Sequence, residues 1–209
     1  MIVAVPLHNP YVHLEPLRHD HAEDLFEVAR ADADEIFEWT GIWQAPRCIE
    51  DTRATIADLL ALADHGTHAT WAIRRHLDGR IVGTTSYLDI EPKHRRVEVG
   101  ATWPGRAWWR TEVNTATKQL VLGHAFEDCC LERVMIKTDT RNERSARAIA
   151  RLGAVEEGVL RHHMLRPDGS WRDSVVFSII APEWPHVRAR LTELLRRGDA
   201  ELLWGVGVA

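Results

Sequence analysis

Apolar and polar residues alternate along VHLEPL, residues 12 to 17, and apolar positions then recur at helical spacing through RHDHAEDLFEVARAD. A strand followed by a helix is therefore expected near the start. Asp20 and Glu23 stand three apart, the spacing of a capping box at that helix's entry. After a segment bearing Trp and Pro around WTGIWQAPR, a second helix is expected from about Glu50 to Asp64, stopped by Gly66. Three alternating stretches follow, TWAIRR, RIVGTTSYLD and RRVEVGATW. The first two flank HLDG, where Asp78-Gly79 supplies the positive φ of a tight turn, so the three are expected to form an antiparallel meander.

The apolar segment 113 to 126 is too long and too continuous for a strand and reads as a largely buried helix ending before Cys129. ERVMIKTD is expected as a strand with Val134, Ile136 and Thr138 on one face. In RNERSARAIARLG, Asn142 is placed to cap a short helix and Gly153 to close it in a left-handed conformation. A long hairpin turning at Pro167-Asp168-Gly169 comes next, then a last helix over PEWPHVRARLTELLRRG with Pro182 preset for its first turn. The tail DAELLWGVGVA is apolar and is expected to dock on its own or a neighbouring subunit, which makes the Trp184 and Trp204 region a candidate homodimer contact. No internal repeat or low-complexity linker divides the chain.

With 209 residues and 45% apolar side chains, one domain with a substantial core is expected. No apolar run reaches the roughly 18 residues of a bilayer span, and MIVAVPLHNP lacks a basic segment and a cleavage site, so a cytoplasmic protein with no membrane association is expected. The net charge of −5 argues against a general nucleic-acid binder. Cys48, Cys129 and Cys130 are too few for a disulfide framework and are expected as buried free thiols. The twelve histidines include no pair at metal-ligand spacing, and no metal is expected. His162 and His163, adjacent on a strand, are expected to face opposite ways.

The order strand, two helices, meander, helix, strand, helix, hairpin resembles the Gcn5-related N-acetyltransferases, the GNAT superfamily. The stretch VNTATKQLVLGHAFEDCCLERVMIKTDTRNERSARAIARLGAVEEGVLRHH, continued by PDGSWRDSVVFSII and EW, is similar to the RimJ/RimL branch. Within RNERSARAIARLGAVEEGVLR, the residues Asn142, Ser145, Ala148, Gly153, Glu157, Gly158 and Arg161 match that branch by position. The resemblance covers about residues 12 to 185 of a single GNAT domain spanning 1–209, with a C-terminal helix and apolar tail over 183–209. It implies an α+β fold, layered α/β/α, with a central mixed, mostly antiparallel sheet. It also implies direct transfer of an acetyl group from acetyl-coenzyme A to a primary amine, on a protein N-terminus or a small molecule.

Such a reaction requires a base or water relay for the amine's proton, a donor for the carbonyl oxygen, and a proton or hydrogen bond for the departing thiolate. By the resemblance, Ser145 serves the sulfur, and Asn142 contacts the pantetheine arm or orders its turn. Glu98, on the strand leading to the cofactor turn, is the first candidate for base or amine anchor. The bland reading of Glu98 is a surface carboxylate on a polar sheet face. His94, His162, Glu157 and Asp173 are weaker competitors. The backbone of Ala101, Thr102 and Trp103 is implied to pair with the pantetheine amides before Pro104.

The turn WRTEVN departs from the family's phosphate loop. Aligning Val113, Asn114 and Lys118 puts its two small-residue positions at Arg110 and Glu112. Glycine there would let backbone N–H groups approach a pyrophosphate at the helix's positive end. Arg110 or Arg106 can replace those contacts with a charge-assisted bond, whereas Glu112 brings a like charge or simply stabilises the helix start. The implied cofactor residues are Arg106, Arg110, Thr111, Glu112, Val113 and Asn114, and Trp108 and Trp109 either cover the cofactor or pack in the interior. Two functions stay open: an acetyl-coenzyme A dependent N-acetyltransferase, or a GNAT-fold binding or assembly protein whose coenzyme A site has degenerated.

Overall fold

The computed structural model describes residues 2–40, 44–166 and 168–205, the last seven of these by backbone only. Eight strands form one mixed sheet: β1 (Leu7–His8), β2 (Val12–Pro16), β3 (Ala69–Arg75), β4 (Ile81–Glu91), β5 (Arg96–Pro104), β6 (Arg133–Asp139), β7 (Val155–Leu165) and β8 (Trp171–Ile180). Their spatial order is β1-β2-β3-β4-β5-β6-β8-β7, and every neighbouring pair is antiparallel except β5 with β6. The helices are α1 (Ala22–Arg30), α2 (Ala33–Phe37), α3 (Ile49–Asp64), α4 (Glu112–Gly123), α5 (Glu143–Leu152) and α6 (Trp184–Gly205).

Alternation along β3 explains the layering. Trp71 and Ile73 enter the core shared with α4, α5 and α6, while Ala72 between them enters the core beneath α1, α2 and α3. A sheet buried on both faces is the consequence, as the layered α+β expectation requires. The meander β3-β4-β5 forms as expected, with Gly79 at φ +68° in the turn. Val134, Ile136 and Thr138 share the buried face of β6.

Several local expectations are corrected. Asp20 and Glu23 do not form a capping box: Arg18 binds the Asp20 carboxylate, Arg53 binds Glu23, and the Nδ1 of His21 accepts the Arg18 N–H instead. Pro182 lies in a separate 3₁₀ turn, Ala181–Glu183, and α6 begins at Trp184, directly after that turn. That helix runs on to Gly205, through most of the tail read as a separate segment. Trp184 is buried, stacked on Phe126 and donating to Glu127 at 2.7 Å, so it is not available as a dimer contact. Side-chain placement of Trp204 and the turn residue Pro167 lie outside the described residues. The three thiols are free, but Cys48 and Cys130 are exposed and Cys129 half-buried, because Cys48 precedes the first turn of α3 and Cys130 follows the end of the α4 segment. Among the described residues no helix is long and apolar enough to cross a membrane.

Candidate active site

The parallel ladder between β5 and β6 stops early. Its pairs are Arg96 with Arg133, Val97 with Val134 and Glu98 with Met135, although β5 continues to Pro104 and β6 to Asp139. Beyond Glu98 the two strands part, and the last residues of β5 make no ladder pair with β6. A bulge sharpens the divergence: Ala101 and Thr102 together oppose Thr85 of β4, and Ala101 takes φ +47°. A cleft of about 670 Å³ opens at this point.

The first turns of two helices face the cleft. At α5, the Asn142 side chain accepts the Ser145 N–H at 3.0 Å, and Asn142 N–H donates to the Asp139 carbonyl at 2.9 Å. Asp139 is fully buried and holds this junction rigid: its carboxylate accepts from Arg141 N–H at 2.9 Å and from Arg166 at 2.7 Å. Burial alone would push this carboxyl up, but Arg166 and the Arg141 N–H together hold it below its ordinary value. Asn142 and Ser145 both line the cleft. The Ser145 hydroxyl makes no hydrogen bond to any described residue, so it is not spent on its own helix.

At α4, Thr111 is the N-cap, accepting the Val113 N–H at 3.4 Å and donating its hydroxyl to the Trp108 carbonyl at 2.8 Å. Arg110, just before it, adopts φ +64° and lines the cleft. The backbone thus takes the left-handed angle that the glycine position demands, with an arginine bearing it. Glu112 does not line the cleft; its carboxylate lies 3.6 Å from the Arg75 guanidinium. Trp109 covers the cleft from this side, its indole N–H bonded to the Pro104 carbonyl at 2.9 Å and its ring lying 3.4 Å under the Arg144 guanidinium. That cation–π contact ties the α4 turn to the α5 turn.

Other expected positions fall elsewhere. Ala101, Thr102, Trp103, Thr111 and Asn114 line the cleft; Arg106 and Val113 do not. Arg106 is drawn off by Asp32 and Glu35, each at 3.2 Å, on the turn before α2 and on α2 itself. Val113 is fully buried in the core. Glu98 is not a surface residue: it is buried, lines the cleft, and is paired with Lys137 of β6 at 2.8 Å. Burial raises its pKa above the ordinary carboxylate value, and Lys137 pulls it part of the way back. Of its rivals, His94 and His162 are exposed, with His162 stacked on Trp171; Asp173 accepts the His162 N–H at 2.7 Å. Arg133 and Ser178 bind Glu157 and take its pKa down to about 2. None of these four lines the cleft, whereas His163 does, so the two adjacent histidines do face apart.

Sequence reasoning missed Lys118, Lys137, Arg144, Arg147, Arg151 and Arg172 as cleft residues. Arg144, Arg147 and Arg151 recur at helical spacing along α5, a signal that was available. Lys118 was not legible: its side chain is buried, donates to the Thr102 hydroxyl at 2.8 Å, and has its pKa pushed by burial down to about 7. Arg144, Arg147, Arg151 and Arg110 make one end of the cleft strongly cationic, which fits a phosphorylated ligand.

Comparison with known proteins agrees with this geometry. The family model "Acetyltransferase (GNAT) domain" matches residues 12–155. YdaF of Bacillus subtilis, provisionally named a ribosomal N-acetyltransferase, is 27% identical over 184 residues, covering 84% of this chain and 94% of its own. A crystal structure from T. thermophilus, provisionally described as an acetyltransferase, is 35% identical with a TM-score of 0.83, covering 93% of this chain and 99% of its own. Mycobacterium smegmatis RimJ, solved in complex with CoA-disulfide, is 26% identical with a TM-score of 0.77, covering 91% and 93%. Sheet order, splayed strands and sequence match converge, and the chain belongs to the GNAT acetyltransferase superfamily, with RimJ-like relatives.

Proposed function

We propose that this chain transfers an acetyl group from acetyl-coenzyme A directly to a primary amine, on a protein N-terminus or a small molecule. The observation that carries this reading is the β5–β6 ladder ending at Glu98, which opens a cleft between the Glu98–Lys137 ion pair on one side and the Ser145 hydroxyl on the other. The backbone of Ala101, Thr102 and Trp103, beyond the last β5–β6 ladder pair and lining the cleft, is positioned to accept an extended amide chain as an added strand. Arg110, with the N-terminus of α4 behind it and Thr111 and Asn114 beside it, is the phosphate-binding group, and Asn142 orders the turn that presents Ser145. When bound, the coenzyme supplies an activated acyl thioester. The chain's own residues then do two things.

Glu98 takes up the amine's proton, directly or through a water, aided by a pKa that burial raises towards the proton it must accept. Ser145, with its hydroxyl free of protein partners, donates towards the position of the departing sulfur. Lys137 keeps Glu98 anionic between turnovers by holding it at 2.8 Å. Against the non-catalytic alternative stands the arrangement of the departed loop. The Glu112 carboxylate is directed to Arg75, away from the cleft, and the Arg110 backbone already takes the glycine-like angle.

Thermal unfolding with and without coenzyme A tests the reading. At 100 times its dissociation constant the ligand is expected to add about 2.7 kcal/mol of stability, and acetyl-coenzyme A with an amine panel is expected to release free thiol. No stabilisation at millimolar coenzyme A would reject the enzyme in favour of the binding module.

A further inference from the structure

One part of the cleft is built by β4, β5, β6, the β7–β8 hairpin and the segment after α2, whose Trp39 also stands beside Trp109, Asn142 and Arg144 of the α4 and α5 turns. It holds Trp39, Asp89, Glu98, Lys137, His163 and Arg172. Arg172 is buried at 9% exposure and still lines the cleft. Its Nε donates to the Ser174 hydroxyl at 2.9 Å and its Nη1 to the Trp39 carbonyl at 3.3 Å, so the guanidinium bridges the late hairpin to the early helical segment. Those bonds use two of its five N–H donors.

No carboxylate of the described residues lies within 4 Å of it. The two acids nearest in influence are engaged elsewhere: Glu98 with Lys137 at 2.8 Å, and Asp139 with Arg166 at 2.7 Å. A guanidinium cannot shed its proton to escape burial, as a lysine can. A buried, always-charged group with open donors facing a cleft calls for an anion, and its planar fork matches a carboxylate with two parallel bonds. The same part of the cleft lining presents Glu98 and the more exposed Asp89, which suit a cationic amine. Opposite charges at short range are complementary to a molecule that carries both an amine and a carboxylate.

We propose that Arg172 is the acceptor-recognition residue and that the amine acceptor bears a carboxylate close to its amino group, which docks on the Arg172 guanidinium. This inference rests on the acetyl-transfer reading above. The carboxylate can come from a free amino acid or from an acidic first residue of a peptide, and both present the same chemistry to the site.

The test measures kcat/KM for acetyl transfer with matched acceptors: alanine against alaninamide, and a peptide amide beginning with Asp against one beginning with Asn. Rates are compared at equal concentrations of neutral amine. The acidic member of at least one pair is expected to win by about tenfold or more, the size of one charge-assisted contact, and the winning pair identifies the source of the carboxylate. In Arg172→Gln that preference is expected to fall to near parity, with Arg172→Lys retaining part of it and coenzyme A stabilisation unchanged in both. Competition on the unaltered protein by the acetylated products of both pairs, N-acetylalanine against N-acetylalaninamide and the N-acetylated Asp peptide amide against its Asn counterpart, reads the same preference without a variant, so a failure of Arg172→Gln to fold does not block the test. Equal rates within both pairs, or preference for the neutral member, overturns the proposal. Transfer to no member of either pair while coenzyme A still stabilises the protein also overturns it and leaves coenzyme binding standing; absence of coenzyme A stabilisation removes the acetyl-transfer reading itself.

Discussion

At the start of α5 the Asn142 carboxamide caps the helix with a 3.0 Å bond and leaves Ser145 facing the cleft; at the start of α4 Thr111 caps at 3.4 Å, and Arg110 before it turns through φ +64°. Both turns aim backbone N–H groups at the same cavity. The α5 turn does so with residues whose own preferences agree with their conformation. The α4 turn does so against them, with a β-carbon where glycine would be unstrained and an acid in the next turn. What makes the second arrangement workable is its surroundings: Arg75 draws the Glu112 carboxylate aside, and the Trp109 ring braces the loop against Pro104 and Arg144. A glycine motif is thus a statement about backbone angle and space, and both can be supplied by other residues at an energetic cost of about 1–2 kcal/mol.

The sharpest contrast between the turns is chemical. Ser145→Ala is expected to lower kcat by about 100-fold, the scale of one proton-transfer partner, while coenzyme A affinity stays within about threefold. Steady-state kinetics beside calorimetric titration separates the two, and equal losses in both would reduce Ser145 to a binding residue.

A second contrast concerns Lys118, further along the α4 face. Burial pushes its amine down to about 7 from an ordinary 10.5, so the unfolded chain holds that proton more tightly than the folded one. The destabilisation is complete below about pH 7 and lifts as pH rises towards 10.5. Lys118→Met is therefore expected to stabilise the protein by about 1–3 kcal/mol at pH 6, with a smaller gain at pH 9. Denaturant unfolding at both values checks this; a variant less stable at pH 6 would mean the ammonium is solvated or paired.

Matched substitutions in the two turns should move stability in opposite directions. Arg110→Gly is expected to gain about 1 kcal/mol by relieving the left-handed angle, with Arg110→Ala gaining nothing, whereas Asn142→Ala loses about 1 kcal/mol with its cap. Loss of stability in Arg110→Gly would mean that the turn is not strained. The smallest effect belongs to Glu112→Gln, which should alter coenzyme A affinity by less than about twofold because its charge is already directed to Arg75. A tenfold gain would show that the acid does repel phosphate.

The same contrast explains what was legible in the sequence. The α5 cap, Gly153 at φ +103°, the β3–β4 turn at Gly79 and the meander were readable because local preference and tertiary fold agree there. The resemblance to GNAT proteins covered the rest of the topology. Helix α2 was missed because five residues, Ala33–Phe37, are too few to show a period, and its Glu35 and neighbouring Asp32 then captured Arg106. Glu98 reads as a surface acid in sequence because alternation within β5 cannot reveal Lys137 on a strand 39 positions later, the difference between their residue numbers. Arg172 was invisible for a similar reason: Ser174 is a neighbour on its own strand, but its other partner, the Trp39 carbonyl, lies 133 positions earlier in the chain.

The central claim is that the α4 turn, with its glycine positions filled, still holds phosphate. Calorimetric titration of the unaltered protein with coenzyme A and, separately, with pantetheine tests it most directly, since the two share the thiol arm and differ in the phosphorylated part. Coenzyme A is expected to bind at least about tenfold tighter, the worth of one charge-assisted bond or more, with the advantage shrinking as salt is added. Equal affinities for the two ligands would contradict the account.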